Sequence, residues 1–539
     1  MVLIENGTVA DGTGAPSFPA DVAIDGDRIA DVFLRSPGSP PVPGDFERLD
    51  ASGCLVTPGF IDVHAHSDTY LLIEPDAPSK ISQGITTEIN GNCGGSCAPR
   101  FGEARLSGDW ASMTYPLPGG GMSPVPGPVW RSFGEYRALL EETRPAVNTV
   151  QFVGHNTLRS SAMGYKPEKA GHDDLRRMSE MLEECLDCGA HGLTTGLVYQ
   201  PGKWSAPEEV ETLAAVAAAR GGFYATHMRS EGDSILEAID EVLDLVRKTG
   251  IRAEISHLKT SGRRNWGKIG AVLDKLEGAV ASGLVLGSDR YPYCQAGTDL
   301  DVILPDWAGA GGRDPELARL RDPAQRARIE KELSAREDEL AAITVGGGWS
   351  GMVREWCGRT LGEAARAMGA TAARTACEFI LADETRTGAF FPWMCRENLQ
   401  KILSRPWVLA GSDASLRAPS GQLGADHPHP RAYGTMPRFF RMLTGRIEGC
   451  ARICGREEAV RRMTSAAARR FGLRGRGEIA KGAFADVAVW REDSFADLAS
   501  YDKPHVFSSG VEAVFVNGAL SFRDGRCTGA RAGRFLERA

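Results

Sequence analysis

Eight short apolar runs, at residues 60–63, 86–89, 149–153, 192–195, 223–227, 253–257, 283–289 and 407–413, have strand-like composition. Amphipathic stretches such as 208–220 and 234–248 separate several of them. Runs this short and this uniformly apolar fit strands covered on both faces better than buried helices. Strands joined through a helix run parallel, because the helix returns the chain to its starting edge. Eight such units close into a barrel whose reactive side chains sit at the C-terminal strand ends. The chain is therefore read as α/β, a (β/α)8 TIM-like barrel.

The two ends of the chain read differently. Alternating apolar residues interrupted by Asn6-Gly7 and Asp25-Gly26 mark hairpins before residue 57, and 486–490 and 511–516, followed by Asn517-Gly518, repeat the pattern. One small β-sandwich domain assembled from 1–56 and 474–539 is expected, with the barrel occupying 57–300 and 401–473. The gap between the seventh and eighth runs far exceeds an ordinary βα connection. Residues 301–400 are thus expected to be an insertion, partly helical over 316–342, placed where a lid or pocket wall is useful.

A chain of 539 residues exceeds one compact domain, and 42% hydrophobic with 24% charged residues is ordinary globular composition. A net charge of −8 argues against general nucleic-acid binding. No apolar run reaches the roughly 18 residues of a membrane helix, and the N-terminus lacks the basic segment of a secretory signal. Twelve cysteines scattered through so large a chain point to reduced thiols and a cytoplasmic location. Cys185-x-x-Cys188 lies in a helical pattern and is read as structural. The oligomeric state is not legible.

The polar residues at the strand ends form a consistent set. His64 and His66, two apart on an extended segment, leave the first strand on one face. Cys93 follows the second strand, His227 and His257 end the fifth and sixth, and Asp413 ends the eighth. Four imidazoles, a thiolate and a carboxylate suit zinc better than magnesium or calcium.

The stretch Pro58-Gly59-Phe60-Ile61-Asp62-Val63-His64-Ala65-His66 resembles the metal-binding opening of the amidohydrolase superfamily. Gly91-Asn92-Cys93-Gly94, Val153-Gly154-His155-Asn156, Thr226-His227-Met228-Arg229-Ser230-Glu231-Gly232, Tyr291-Pro292-Tyr293 and His427-Pro428-His429-Pro430-Arg431 narrow the resemblance to the N-acyl-D-amino-acid deacylases (D-aminoacylases), nearly end to end. The resemblance implies a small-molecule N-acylated substrate and a firmly held zinc on Cys93, His227 and His257. It also implies a second, weaker site on His64, His66 and Asp413, bridged by Cys93; Cys97 is the rival thiol. By the same resemblance, metal-activated hydroxide is expected to attack the acyl carbonyl, with Asp413 taking the water proton and returning it to the departing nitrogen. Arg431 is implied as the carboxylate-binding residue, and Lys259, Tyr291 and His155 as further substrate-side residues, His155 orienting its neighbours rather than binding metal.

Three features depart from the family pattern: a long loop over 414–426, the absence of a serine in 293–298, and a Gly/Pro/aromatic-rich stretch over 102–130. Arg290 or Arg229 is a candidate reader of acidic side chains. A cyclic-amide hydrolase of the dihydropyrimidinase or dihydroorotase kind is the alternative, disfavoured because the fourth run, His191-Gly192-Leu193-Thr194-Thr195-Gly196, lacks a lysine. A metal-free scaffold is disfavoured by the complete ligand set.

Overall fold

The computed structural model describes residues 1–106, 113–115, 117, 122–123 and 129–538. Much of the aromatic-rich stretch over 102–130, Trp110 included, lies outside the described residues. The barrel strands are β1 (Phe60–Asp62), β2 (Ile85–Asn90), β3 (Asn148–Gln151, resumed at Val153–Gly154), β4 (Gly192–Gly196), β5 (Phe223–His227), β6 (Arg252–Ile255), β7 (Leu286–Arg290) and β8 (Val408–Ala410). Neighbours pair in parallel from β1 round to β8. The ring closes where the Val63 amide donates to Ala410 O at 3.3 Å and Ala65 bridges Ala414. Closure leaves no edge strand, and every residue of β2, β4, β5 and β7 is buried.

The helices pack outside as amphipathic strips. Pro207–Ala219 follows β4 with proline in its first turn, Ile235–Thr249 follows β5 and ends on left-handed Gly250, and Ile269–Ala281 follows β6. Within the wall between β1, β2 and β8, Lys80 is fully buried. Its Nζ lies 3.0 Å from Asp62 Oδ2, 2.8 Å from Glu88 Oε1 and 3.1 Å from Ser412 Oγ. Asp62 Oδ1 accepts from the Ser412 amide at 2.8 Å. A buried ammonium is tolerable only with partners this complete, and here it fixes the strand ends that carry His64 and Asp413.

Both termini enter one nine-stranded sheet. Val2–Val9 pairs with Glu47–Asp50 over its first half and with Leu55–Pro58 over its second, and Leu55–Pro58 pairs antiparallel with Val487–Trp490. Ile4, Val22, Val56, Val489 and Phe515, from strands of both termini, share one core. Between β7 and β8 lies a three-stranded sheet (Ala296–Asp299, Gly388–Phe391, Thr344–Val345), with helices including Arg313–Arg321, Pro323–Leu333 and Ala372–Ala382. This segment has its own apolar core around Ile329, Leu361, Phe379 and Phe391. Among the described residues no helix is long and apolar enough to cross a membrane.

Candidate metal centre

Six side chains converge at the C-terminal mouth of the barrel. His64, His66, Cys93 and Asp413 each place one donor atom within 4.8 Å of the others, and Cys93, His227 and His257 do the same. Cys93 belongs to both groups. Its Sγ lies 3.3 Å from His64 Nε2 and 3.3 Å from His257 Nε2. The chain bends sharply to present them: Cys93, His257 and Asp413 have φ of +52°, +38° and +50°. Non-glycine residues pay of order 1–2 kcal/mol for such a conformation, and three clustered at one mouth mark it as functional. The Cys93 turn seats against β4 so closely that a Cβ on Gly196 would stand 2.0 Å from Cys93 O, and one on Gly94 2.4 Å from Gly196 N.

A second layer of carboxylates aims the rings. Asp289 on β7 holds His64 Nδ1 at 3.1 Å through Oδ2 and accepts the His257 amide at 3.0 Å through Oδ1. Glu231 lies 2.9 Å from His257 Nδ1 and 3.5 Å from His227 Nε2. Lys259 donates to Glu231, and its Nζ is 2.7 Å from His257 Nδ1. His227 Nδ1 is buried with no hydrogen-bond partner. This orphaned nitrogen, beside a thiolate and further imidazoles, is what a borderline-soft cation satisfies, and the donor set fits zinc. Burial pushes the Cys93 thiol up, but the charges of His64 and His257 and the hydrogen bonds of His227 and His257 hold it well below its ordinary value. Burial likewise raises Asp413, and Arg431 and the surrounding imidazoles outweigh it, keeping the carboxylate ionised.

Asp413 Oδ1 is 3.1 Å from His66 Nε2 and 3.4 Å from His64 Nε2, while Oδ2 takes Arg431 Nη1 at 2.8 Å. Arg431 opens the helix Arg431–Leu443, donates through Nη2 to Gly297 O at 3.0 Å, and leaves a buried Nε without a partner. The Tyr291 ring lies 4.0 Å from the Arg290 guanidinium, 4.6 Å from that of Arg431 and 5.9 Å from Lys259 Nζ. Its hydroxyl is buried and unpartnered. Burial raises this phenol's pKa, but Lys259, Arg290 and Arg431 bring it below the ordinary value. A cavity of about 1170 Å³ opens from the cluster, bordered by His66, Cys93, Tyr199, Asp413 and Arg431. Such a volume admits a small organic substrate.

His155, expected on the substrate side, does not border the cavity: it stands apart from this cluster, buried against Glu209 at 2.8 Å, with Arg159 on the same carboxylate. Cys97 belongs to neither donor group, and burial raises its thiol well above the ordinary value. Arg229 spends its fork on Glu241 (2.8 and 3.0 Å) and on the carbonyls of Lys203 and Ser205. Arg290 packs behind Tyr291, donating to Tyr293 O at 2.9 Å, and does not border the cavity. The 414–426 loop is pinned where the Leu416 amide donates to Ser67 Oγ and Arg417 pairs with Asp426 at 2.6 Å.

Asp289, Glu231 and Tyr199 escaped the sequence reading. Tyr199 packs edge-on to the His227 ring at 5.0 Å, its Oη 3.3 Å from Thr298 Oγ1. Glu231, four residues after His227, left a signal in retrospect, a carboxylate just past a strand end that carries a donor; Asp289, on β7, has no such neighbour in sequence.

The chain matches the amidohydrolase family over residues 47–302 and 398–522. It is 36% identical to an N-acyl-D-glutamate deacylase of Alcaligenes xylosoxydans xylosoxydans, covering 100% of this chain and 96% of the relative. A crystal structure of an N-acyl-D-glutamate deacylase from Bordetella bronchiseptica, complexed with zinc and a phosphonate mimic of the tetrahedral intermediate, superposes with a TM-score of 0.81 at 32% identity, covering 100% and 99% of the two chains. A D-aminoacylase with a binuclear metal centre, described by one-metal activation and second-metal attenuation, superposes with a TM-score of 0.80 at 32% identity over the same shares.

Proposed function

The chain belongs to the amidohydrolase family, and from that premise we propose that it hydrolyses the amide bond of N-acyl-D-amino acids, giving a carboxylate and a free D-amino acid. The observation that carries this reading is Cys93, a thiolate shared by two donor groups, one of which is tied through Asp413 to the Arg431 fork. The full-length relatives named for deacylation of D-amino acids support the substrate class and its handedness.

Cys93, His227 and His257 would hold the firmly bound zinc, and His64, His66 and Asp413, with Cys93, the weaker site. Zinc at this position supplies a Lewis acid for the acyl carbonyl and lowers the pKa of water toward neutrality. Asp413, kept ionised by Arg431, accepts the proton of the attacking water on a carboxylate oxygen and returns it to the amine nitrogen. Without that return the leaving group would be an amide anion, far too basic to depart. Arg431 offers a planar fork to the substrate carboxylate, and the unpartnered Tyr291 hydroxyl and Lys259 add donors beside it. Tyr199, edge-on to His227 with its hydroxyl 3.3 Å from Thr298 Oγ1, borders the same cavity and adds a phenol beside the donor cluster. All twelve cysteines are free thiols, which supports placement in the reducing cytoplasm.

The test is hydrolysis of paired N-acetyl D- and L-amino acids by the zinc-loaded enzyme, followed by release of free amine. D-selective turnover is expected. Inactivity on every D-substrate with turnover of some other amide or ester would overturn the reading.

A further inference from the structure

One wall of the cavity contains an arginine, Arg100, that no described carboxylate pairs with. Arg100 lies on the connection after β2, in the same wall as Ser96 and with Thr157 and Ser160 of the helix His155–Met163 after β3. Its backbone is fixed, the amide donating to Arg131 O at 2.7 Å. Its guanidinium makes no hydrogen bond or ion pair to any described residue, and its Nε is buried without a partner. Burial depresses its pKa, and only Cys97 and Tyr115 oppose this, neither of them a carboxylate. A partly buried guanidinium normally recovers its desolvation cost through an anion, and among the described residues none supplies one here.

The topology says which part of a substrate reaches it. Arg100 follows β2, whereas Lys259 and Tyr291 follow β6 and β7, and in an eight-stranded ring β2 faces β6 and β3 faces β7. This step rests on the deacylase reading, with the substrate α-carboxylate at Arg431, Tyr291 and Lys259. A trans, planar amide places the first chain carbon beyond the acyl carbonyl anti to the α-carbon. The acyl chain therefore continues away from the carboxylate site, past the donor cluster and toward the β2–β3 wall. The amino-acid side chain, branching at the tetrahedral α-carbon, turns instead toward the insertion, where Gly297, Phe390 and His429 border the cavity. We propose that Arg100 reads an anion at the far end of the acyl group, so that the favoured substrates are N-(carboxyacyl)-D-amino acids, the half-amides of short dicarboxylic acids.

The experiment compares kcat/KM of the zinc-loaded enzyme and its Arg100→Met and Arg100→Lys variants on N-acetyl-, N-succinyl- and N-glutaryl-D-leucine and on N-acetyl-D-glutamate. The wild-type enzyme is expected to favour a carboxyacyl substrate over N-acetyl-D-leucine by about 10- to 100-fold, the range of a charge-assisted fork. Arg100→Met should erase that preference, mainly through KM, and Arg100→Lys should keep part of it. Turnover of N-acetyl-D-leucine and zinc content should stay within about threefold in both variants, showing that the fold is intact. Equal wild-type rates on acetyl and carboxyacyl substrates would overturn the proposal while leaving the deacylase reading standing. So would a loss in Arg100→Met confined to N-acetyl-D-glutamate, which would assign Arg100 to the side chain. Failure on every D-substrate overturns both.

Discussion

Asp413 and Arg431 are joined by a 2.8 Å ion pair at the edge of the donor cluster, so the carboxylate beside His64 and His66 also touches the cation assigned to the substrate. One side chain thereby connects the donor cluster with the group proposed to orient the substrate. The pair is nearly enclosed, with Arg431 only 6% exposed, and it holds the carboxylate ionised where burial alone would favour the acid.

Asp413→Asn keeps the shape and removes the proton acceptor. Zinc content measured by elemental analysis is expected to persist, because Cys93, His227 and His257 are untouched, while kcat falls by about 10²–10⁴, the usual contribution of a general base. Near-normal turnover in this variant would show that another group moves the proton.

Cys93→Ala removes the one donor common to both groups, and loss of bound zinc is expected. Cys97→Ala should retain it, since that thiol is buried, disfavours ionisation and lies outside both groups. Elemental analysis showing the reverse pattern would reassign the bridging thiolate.

Arg431→Lys preserves charge and loses the planar fork. KM for N-acyl-D-amino acids should rise by about 10- to 100-fold with zinc unchanged, as steady-state kinetics will show. An unaltered KM would remove Arg431 from substrate binding.

Glu209 is the buried carboxylate between His155 and Arg159. Burial raises its pKa, but hydrogen bonds and charges from His155 and Arg159 carry it below the ordinary 4.5. A depressed folded-state pKa adds stability that is fully present above the unfolded value and is lost as pH falls through the folded one. Glu209→Gln should therefore cost about 3 kcal/mol at pH 7, and the deficit should shrink as pH drops below 4.5. Urea midpoints at pH 7 and in acid read this directly. A deficit that persists unchanged into acid would mean that the ionic pairing contributes nothing.

The eight strands were legible because fully buried parallel strands leave continuous apolar runs, which amphipathic helices and turns punctuate without ambiguity. His64, His66, His227 and His257 stood out because a strand end has a known direction, so a ligand there announces its neighbours. Other parts had no local signature. Asp289 aims the His64 ring from 225 residues away in sequence, on a strand that carries none of the six donors, so only the fold shows its role; Glu231 is marked only by its place four residues after His227. Arg290 and Arg229 looked alike in sequence as readers of acidic side chains. The folded chain places one behind Tyr291 and closes the other on Glu241. Arg100 drew no attention in sequence, sitting in an irregular loop. It gained meaning only once closure of the barrel set β2 and β3 opposite β6 and β7. Periodicity and strand-end chemistry are local and survive in one dimension, whereas the pairing of charges across a barrel mouth depends on distances that exist only after the ring closes.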